Sequence, residues 1–157
     1  MVSKRSPRRA MRGFTVIELM IVVAILAILT AVAVPGMRNL IQAQRVKTAA
    51  FDVYAGLSLA RSEAIKRNTS VTLTPTSGDW AKGWSGSDSN GNVVLKQDAF
   101  SQIAVAGPGT VVFNSMGRLG GAASQFEVST SELTNDKWRC VKLDLSGRPV
   151  SYVGACP

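Results

Sequence analysis

The stretch Arg12-Gly13-Phe14-Thr15-Val16-Ile17-Glu18-Leu19-Met20-Ile21-Val22-Val23-Ala24-Ile25-Leu26-Ala27-Ile28-Leu29 decides how the chain is read. A basic leader ends in Gly13, and an apolar run follows, broken near its start by one carboxylate, Glu18. No charged residue stands between Leu19 and Met37, and Pro35-Gly36 punctuates the end of the run. As a helix, Phe14 to Val34 would span about 30 Å, the thickness of the hydrocarbon core of a bilayer. Lys4, Arg5, Arg8, Arg9 and Arg12 precede it with no acid among them. That asymmetry holds the leader on the cytoplasmic side and predicts export of the rest.

A secretory signal peptide would end its apolar region at a small-residue cleavage site, and Ala31-Val32-Ala33 offers one. The run is longer than the ~7–15 apolar residues of such a signal. Glu18 also lies inside it, where a charge costs about 2–3 kcal/mol or more. A carboxylate so placed implies a compensating partner.

Gly13-Phe14-Thr15-x-x-Glu18 resembles the class III signal of type IV pilins and type II secretion pseudopilins. The resemblance implies cleavage between Gly13 and Phe14 by prepilin peptidase, N-methylation of Phe14, and a mature chain that starts there. It further implies that Glu18 meets the N-terminal amine of a neighbouring subunit in a growing filament. Physical chemistry agrees, since two charges that are each costly in lipid neutralise one another when paired. The implied location is the bacterial inner membrane, crossed once with the N-terminus cytoplasmic and the head periplasmic, and then a pilus or pseudopilus.

The net charge of +8 overstates how basic the working protein is. Five of its 18 basic residues lie in the leader and all 10 acids lie after it, so the processed chain carries +3. That mild excess does not announce a nucleic-acid binder. Cys140 and Cys156 are the two cysteines. In an exported chain they are expected to form a disulfide, closing a loop of about 16 residues at a gain of roughly 3 kcal/mol. A zinc site is the rival reading, but two thiols without any histidine make a poor ligand set.

Beyond Pro35-Gly36 the pattern becomes amphipathic. Val46, Ala50, Val53, Leu57, Ala60 and Ala64 recur at three- and four-residue steps, flanked by Phe51 and Tyr54. Gly56 leaves room for a strand to approach the helix closely. The expectation is one long helix over 14–67, bent near Pro35-Gly36 where proline removes a backbone hydrogen bond. After Asn68 the period is two: strands are predicted over 70–74, 92–96, 110–113, 125–128, 139–145 and 149–153, with a weaker one at 102–105. Turns are expected at Asn90-Gly91, Gly107-Pro108-Gly109, Gly120-Gly121, Asn135-Asp136 and Ser146-Gly147. The Gly/Ser/Asp/Asn-rich region 77–92 reads as a mobile loop anchored by Trp80 and Trp84.

The fold class is therefore α+β: a type IV pilin fold, with a long N-terminal helix packed on an antiparallel sheet or small β-sandwich. Four segments follow: a cleaved leader (1–13), a membrane and filament-core helix (14–35), an amphipathic helix half (36–68) and a β-rich head with a C-terminal disulfide (69–157).

The likeness extends along the chain. Leu59-Ala60-Arg61-Ser62-Glu63-Ala64-Ile65-Lys66-Arg67-Asn68, Trp80-x-x-Gly83-Trp84, Val112-Phe113-Asn114-x-x-Gly117-Arg118 and Ser146-Gly147-Arg148 resemble the GspH/FimT branch. That branch holds minor pilins of type IV pili and the minor pseudopilin H of type II secretion. The resemblance implies a low-abundance subunit whose partners are other pilins or pseudopilins, prepilin peptidase and the inner membrane. The C-terminal cysteine pair is similar to that of many type IV pilins and favours a pilus.

Some members of the branch bind DNA through a Gly-Arg motif followed by further cations. Here Gly147-Arg148 is followed by Pro149-Val150-Ser151-Tyr152-Val153, which carries none. Lys137, Arg139, Lys142 and Arg148 stand as candidate DNA contacts, on condition that Arg139 and Arg148 lie on adjacent strands. Asp88-Ser89-Asn90-Gly91-Asn92 faintly resembles a calcium loop, but Gly is misplaced for one and a hairpin turn is favoured. An enzyme is not expected. There is no histidine, no nucleophile with a recognisable base, no phosphate loop after a strand and no C-x-x-C pair. No cofactor is implied.

Overall fold

The computed structural model describes residues 13–157; the basic residues of the leader lie outside them. One helix, α1 (Val16–Arg67), is followed by eight strands: β1 (Val71–Pro75), β2 (Trp84–Asp88), β3 (Val93–Gln97), β4 (Ala104–Ala106), β5 (Val111–Phe113), β6 (Ser124–Ser129), β7 (Arg139–Leu143) and β8 (Pro149–Val153). Two compact units divide just after Met37, next to the Pro35-Gly36 pair where the sequence predicts a bend.

The first unit is the N-terminal part of α1. Apart from Glu18 and Thr30 it is apolar all round, and its large side chains from Val16 to Val32 are 44–77 % exposed. A helix without a polar face needs lipid or other apolar helices around it. The polar interruption at Thr30 is neutralised locally, because its hydroxyl donates to the carbonyls of Leu26 and Ala27, each at 2.9 Å.

In the second unit the remainder of α1 covers two four-stranded antiparallel sheets, ordered β3-β2-β1-β5 and β4-β6-β7-β8. The predicted stripe Val46, Ala50, Val53, Leu57, Ala60 and Ala64 is buried, with Ala49 beside it. Alternation along the strands turns Val71, Leu73, Val111 and Phe113 of one sheet inward, and Val105, Phe126, Val128, Val141 and Leu143 of the other. One apolar cluster joins helix and sheets. Trp80 stitches the sheets together: its ring meets Phe126 of β6 edge-on at 4.9 Å and tilts against Trp84 of β2 at 5.7 Å. Its indole nitrogen donates to Pro108 O at 2.6 Å.

One expectation is corrected. The region 77–92 is not a mobile loop: it contains β2, an interior strand paired with β1 from Val71↔Asp88 to Pro75↔Trp84 and with β3 on its other side. Its composition, Trp-Ser-Gly-Ser-Asp, hid it. Gly86 is there because space is short, a Cβ at that position standing 2.8 Å from Leu95 Cγ and 3.0 Å from Leu73 Cδ2. Trp80 and Trp84 do anchor the region, both being buried. Gly56 admits the ring of Trp84, whose Cζ2 would lie 3.0 Å from an added Cβ.

Candidate functional site

Two places carry the residues singled out from the sequence: the N-terminal end of α1, and the β7–β8 hairpin with the chain's C-terminus. The helix begins at Val16, so Thr15 occupies the capping position. The Thr15 hydroxyl accepts from the Glu18 amide at 3.3 Å, and Glu18 Oε2 accepts from the Thr15 amide at 2.9 Å. Oε2 also accepts from the Thr15 hydroxyl at 3.0 Å. This is a reciprocal capping box, in which each residue satisfies the other's free amide. Sequence reasoning singled out Glu18 and missed the role of Thr15. The signal was present, since Thr-x-x-Glu ahead of an apolar run is the written form of the motif. Gly13 and Phe14 precede the helix outside any regular element, with Phe14 81 % exposed.

At the other place, Cys140 and Cys156 are joined, their Cα atoms 5.1 Å apart. Zinc is thereby displaced as the rival use of these thiols. The tail after β8 lies over the outer face of the second sheet: the Cys156 amide donates to Glu127 Oε2 at 2.9 Å, and the Gln125 amide nitrogen donates to Pro157 O at 3.3 Å. On the same strand face, Lys142 Nζ sits 5.5 Å from the centre of the Tyr152 ring, within reach of a cation–π contact.

The four candidate DNA contacts are not gathered together. Arg139 opens β7 opposite Val153, whereas Arg148 precedes Pro149, which pairs with Leu143 at the far end of the hairpin. The two arginines are thus separated by a strand length of about 13–17 Å, and Arg148 lies in the turn rather than in the adjacent strand. Lys142, three positions from Arg139, points to the opposite face, because side chains alternate along a strand. Lys137 ends a short 3₁₀ turn, Asn135–Lys137, near Arg139. The condition that motivated the patch is not met.

Arg148 instead belongs to a pair of interlocked turns. Gly147 (φ 77°) and Gly117 (φ 72°) are both buried, and a Cβ on Gly147 would stand 2.1 Å from Gly117 O. That same carbonyl accepts from Arg61 Nε at 3.0 Å, tying the end of α1 to both turns. Asp144 closes the hairpin. The Ser146 hydroxyl and the Arg148 amide donate to its carboxylate and hold its pKa below the usual range. Asp88 does the same for the β2–β3 turn with Asn92, Asn90 and a more distant Arg67, which lowers its pKa too. The resemblance to a calcium loop resolves as this turn, the carboxylate being engaged with the Asn90 and Asn92 amides at 2.9 Å. Glu63, set on the helix surface, pairs with Arg67 at 2.7 Å and Lys66 at 3.5 Å.

Comparison with known proteins places these features in a family. Residues 49–147 match the family described as type II transport protein GspH, and residues 8–34 match the prokaryotic N-terminal methylation motif. Two proteins of Pseudomonas aeruginosa described as fimbrial protein are each 32 % identical over 156 aligned residues, covering 95 % of this chain and 98 % of theirs. Two crystal structures of the P. aeruginosa type IV minor pilin FimU share the fold. One has a TM-score of 0.61 at 22 % identity over 73 % of this chain and 90 % of its own. The other has a TM-score of 0.59 at 23 % identity over 68 % and 91 %.

Proposed function

The chain belongs to the GspH family of type IV pilin-like proteins, and from that premise we propose that it is a minor pilin. In this reading it helps to initiate, assemble or cap a type IV pilus after prepilin peptidase removes its leader between Gly13 and Phe14. The observation that carries the reading is the uncovered helix of the first unit, apolar but for Glu18 and Thr30, joined in one chain to a compact β-rich head. Such a helix is stored in the inner membrane and then transferred among other apolar helices in a filament, with no net loss of apolar cover. Glu18 supplies the charge that pairs with a neighbour's terminal amine, and the head is carried outside. The pilus is favoured by likeness to fimbrial proteins along 95 % of the chain.

A second reading, a minor pseudopilin of type II secretion, draws on the description of the matched family. Loss of surface pili in a deletion strain with unaltered protein secretion supports the pilus; the converse supports the pseudopilus. DNA capture is not advanced, given the separation of Arg139 from Arg148.

The decisive test is intact mass and N-terminal sequencing of the protein from cells that hold an active prepilin peptidase. The expected product starts at methylated Phe14 and is two hydrogens lighter than the dithiol. A product starting after Ala33, or an uncut leader, overturns the filament reading.

A further inference from the structure

Strand β8 ends the second sheet and has β7 as its one neighbour there. The Gly154 amide donates to Trp138 O at 2.8 Å, which marks Trp138–Gly154 as a hydrogen-bonded pair of the antiparallel ladder. By the alternation of such pairs along the register, Cys140–Tyr152 and Lys142–Val150 are bonded in the same way. Ser151 and Val153 fall between them, so their amides and carbonyls turn outward, to the side of the strand that meets no other. An open edge of this kind is a template for a further strand.

A groove of about 300 Å³ lies beside this edge. Lys47, Ala50, Phe51 and Tyr54 line it from α1, and Arg139 and Ser151 from the strands. Alternation puts Arg139, Ser151 and Val153 on the sheet face turned to the helix, opposite Cys140 and Tyr152. Phe51 and Val153 are both more than half exposed, so apolar surface borders the edge. No acid lines the groove. Neither Lys47 nor Arg139 is ion-paired among the described residues. Two cations, an apolar border and unmatched backbone groups thus meet in one place.

We propose that the groove and the β8 edge form a docking site for an extended, acidic segment of a neighbouring filament subunit, which joins the sheet as a further strand. The backbone of Ser151 and Val153 holds the segment's main chain, and its carboxylates meet Lys47 and Arg139. Its apolar side chains cover Phe51 and Tyr54. That the partner is a filament subunit rests on the reading above; the chemistry of the groove does not. Charge argues against a second copy of this chain, because pairing β8 with β8 brings two sets of Lys47 and Arg139 to one seam. A nucleic acid would use the cations and rings but leave the backbone groups of the edge unmatched. Pro149 blunts one end of the strand and keeps the added pairing short, so affinity depends on the charges.

The test uses the processed full chain in detergent and a fluorescein-labelled hexapeptide that alternates glutamate and valine, with binding read as fluorescence anisotropy. Saturable binding below about 1 mM is expected, weakening as salt is raised. A peptide with lysine in place of glutamate should bind about ten-fold more weakly, and Lys47→Glu with Arg139→Glu should reverse that preference. Ser151→Pro removes only an outward amide, which an edge strand tolerates, and should weaken the glutamate peptide about ten-fold. If that variant does not fold, the peptide itself carries the test. N-methylation of all its valines, or of all its glutamates, removes the donors of one edge at a time. One set should abolish binding and the other be tolerated.

Absence of saturable binding, equal affinity for the glutamate and lysine peptides, or tolerance of both methylated sets overturns the proposal. Tighter binding of an oligothymidylate than of the peptide assigns the groove to nucleic acid and overturns it too. Self-association that the peptide displaces gives the edge to a second copy and overturns the choice of partner. The mass of the processed chain decides the filament reading separately. A chain cut after Gly13 that ignores the peptide loses only the present proposal, whereas peptide binding by a chain left uncut loses the filament partner.

Discussion

Gly147 shows how much one position can decide. Its φ of 77° lies where only glycine is comfortable, and the Gly117 carbonyl leaves no room for a side chain. Gly147→Ala therefore faces a backbone atom, not the end of a flexible side chain. A cost of about 1–3 kcal/mol is expected from backbone strain alone. Denaturant unfolding of the full chain in detergent, followed by the fluorescence of buried Trp80 and Trp84, measures it. Stability equal to the parent chain would mean that the two turns do not interlock. In the sequence, Gly117-Arg118 and Gly147-Arg148 stand in two separate motifs. Their contact arises from residues thirty positions apart, and local chemistry carries no sign of it.

Among the elements, α1 and β2 mark the two ends of legibility. The helix announces itself because the stripe from Val46 to Ala64 repeats at its own pitch, and each member is buried as the pitch requires. β2 is held by strands on both sides, yet it carries Ser85, Gly86, Ser87 and Asp88, residues typical of turns. Pairing with β1 and β3, and the seating of Trp84 over Gly56, override that local preference. Hydrogen exchange distinguishes the alternatives. Amides of Trp84–Asp88 are expected to exchange far more slowly than those of the turn at 89–92. Equal, fast exchange across 77–92 would restore the loop.

For the whole molecule, the disulfide between Cys140 and Cys156 fastens the chain's end across the second sheet. Its reduction, or Cys140→Ser with Cys156→Ser, is expected to lower stability by about 3 kcal/mol, measured as a shift of the unfolding midpoint with and without reductant. No shift would mean that the bonds from Cys156 to Glu127 and from Gln125 to Pro157 hold the tail unaided. The sequence by itself determined the membrane-length helix, the N-terminal methylation motif, the amphipathic stripe and the places of seven of the eight strands. These are periodic or contiguous features, and a few adjacent residues suffice to express them. Tertiary structure alone decided that β2 is a strand, that Gly117 and Gly147 meet, and that Arg139 and Arg148 stand at opposite ends of the β7–β8 hairpin. Each of those outcomes depends on which distant segment supplies the partner, and strand pairing, register and close approach are settled only when the whole core packs.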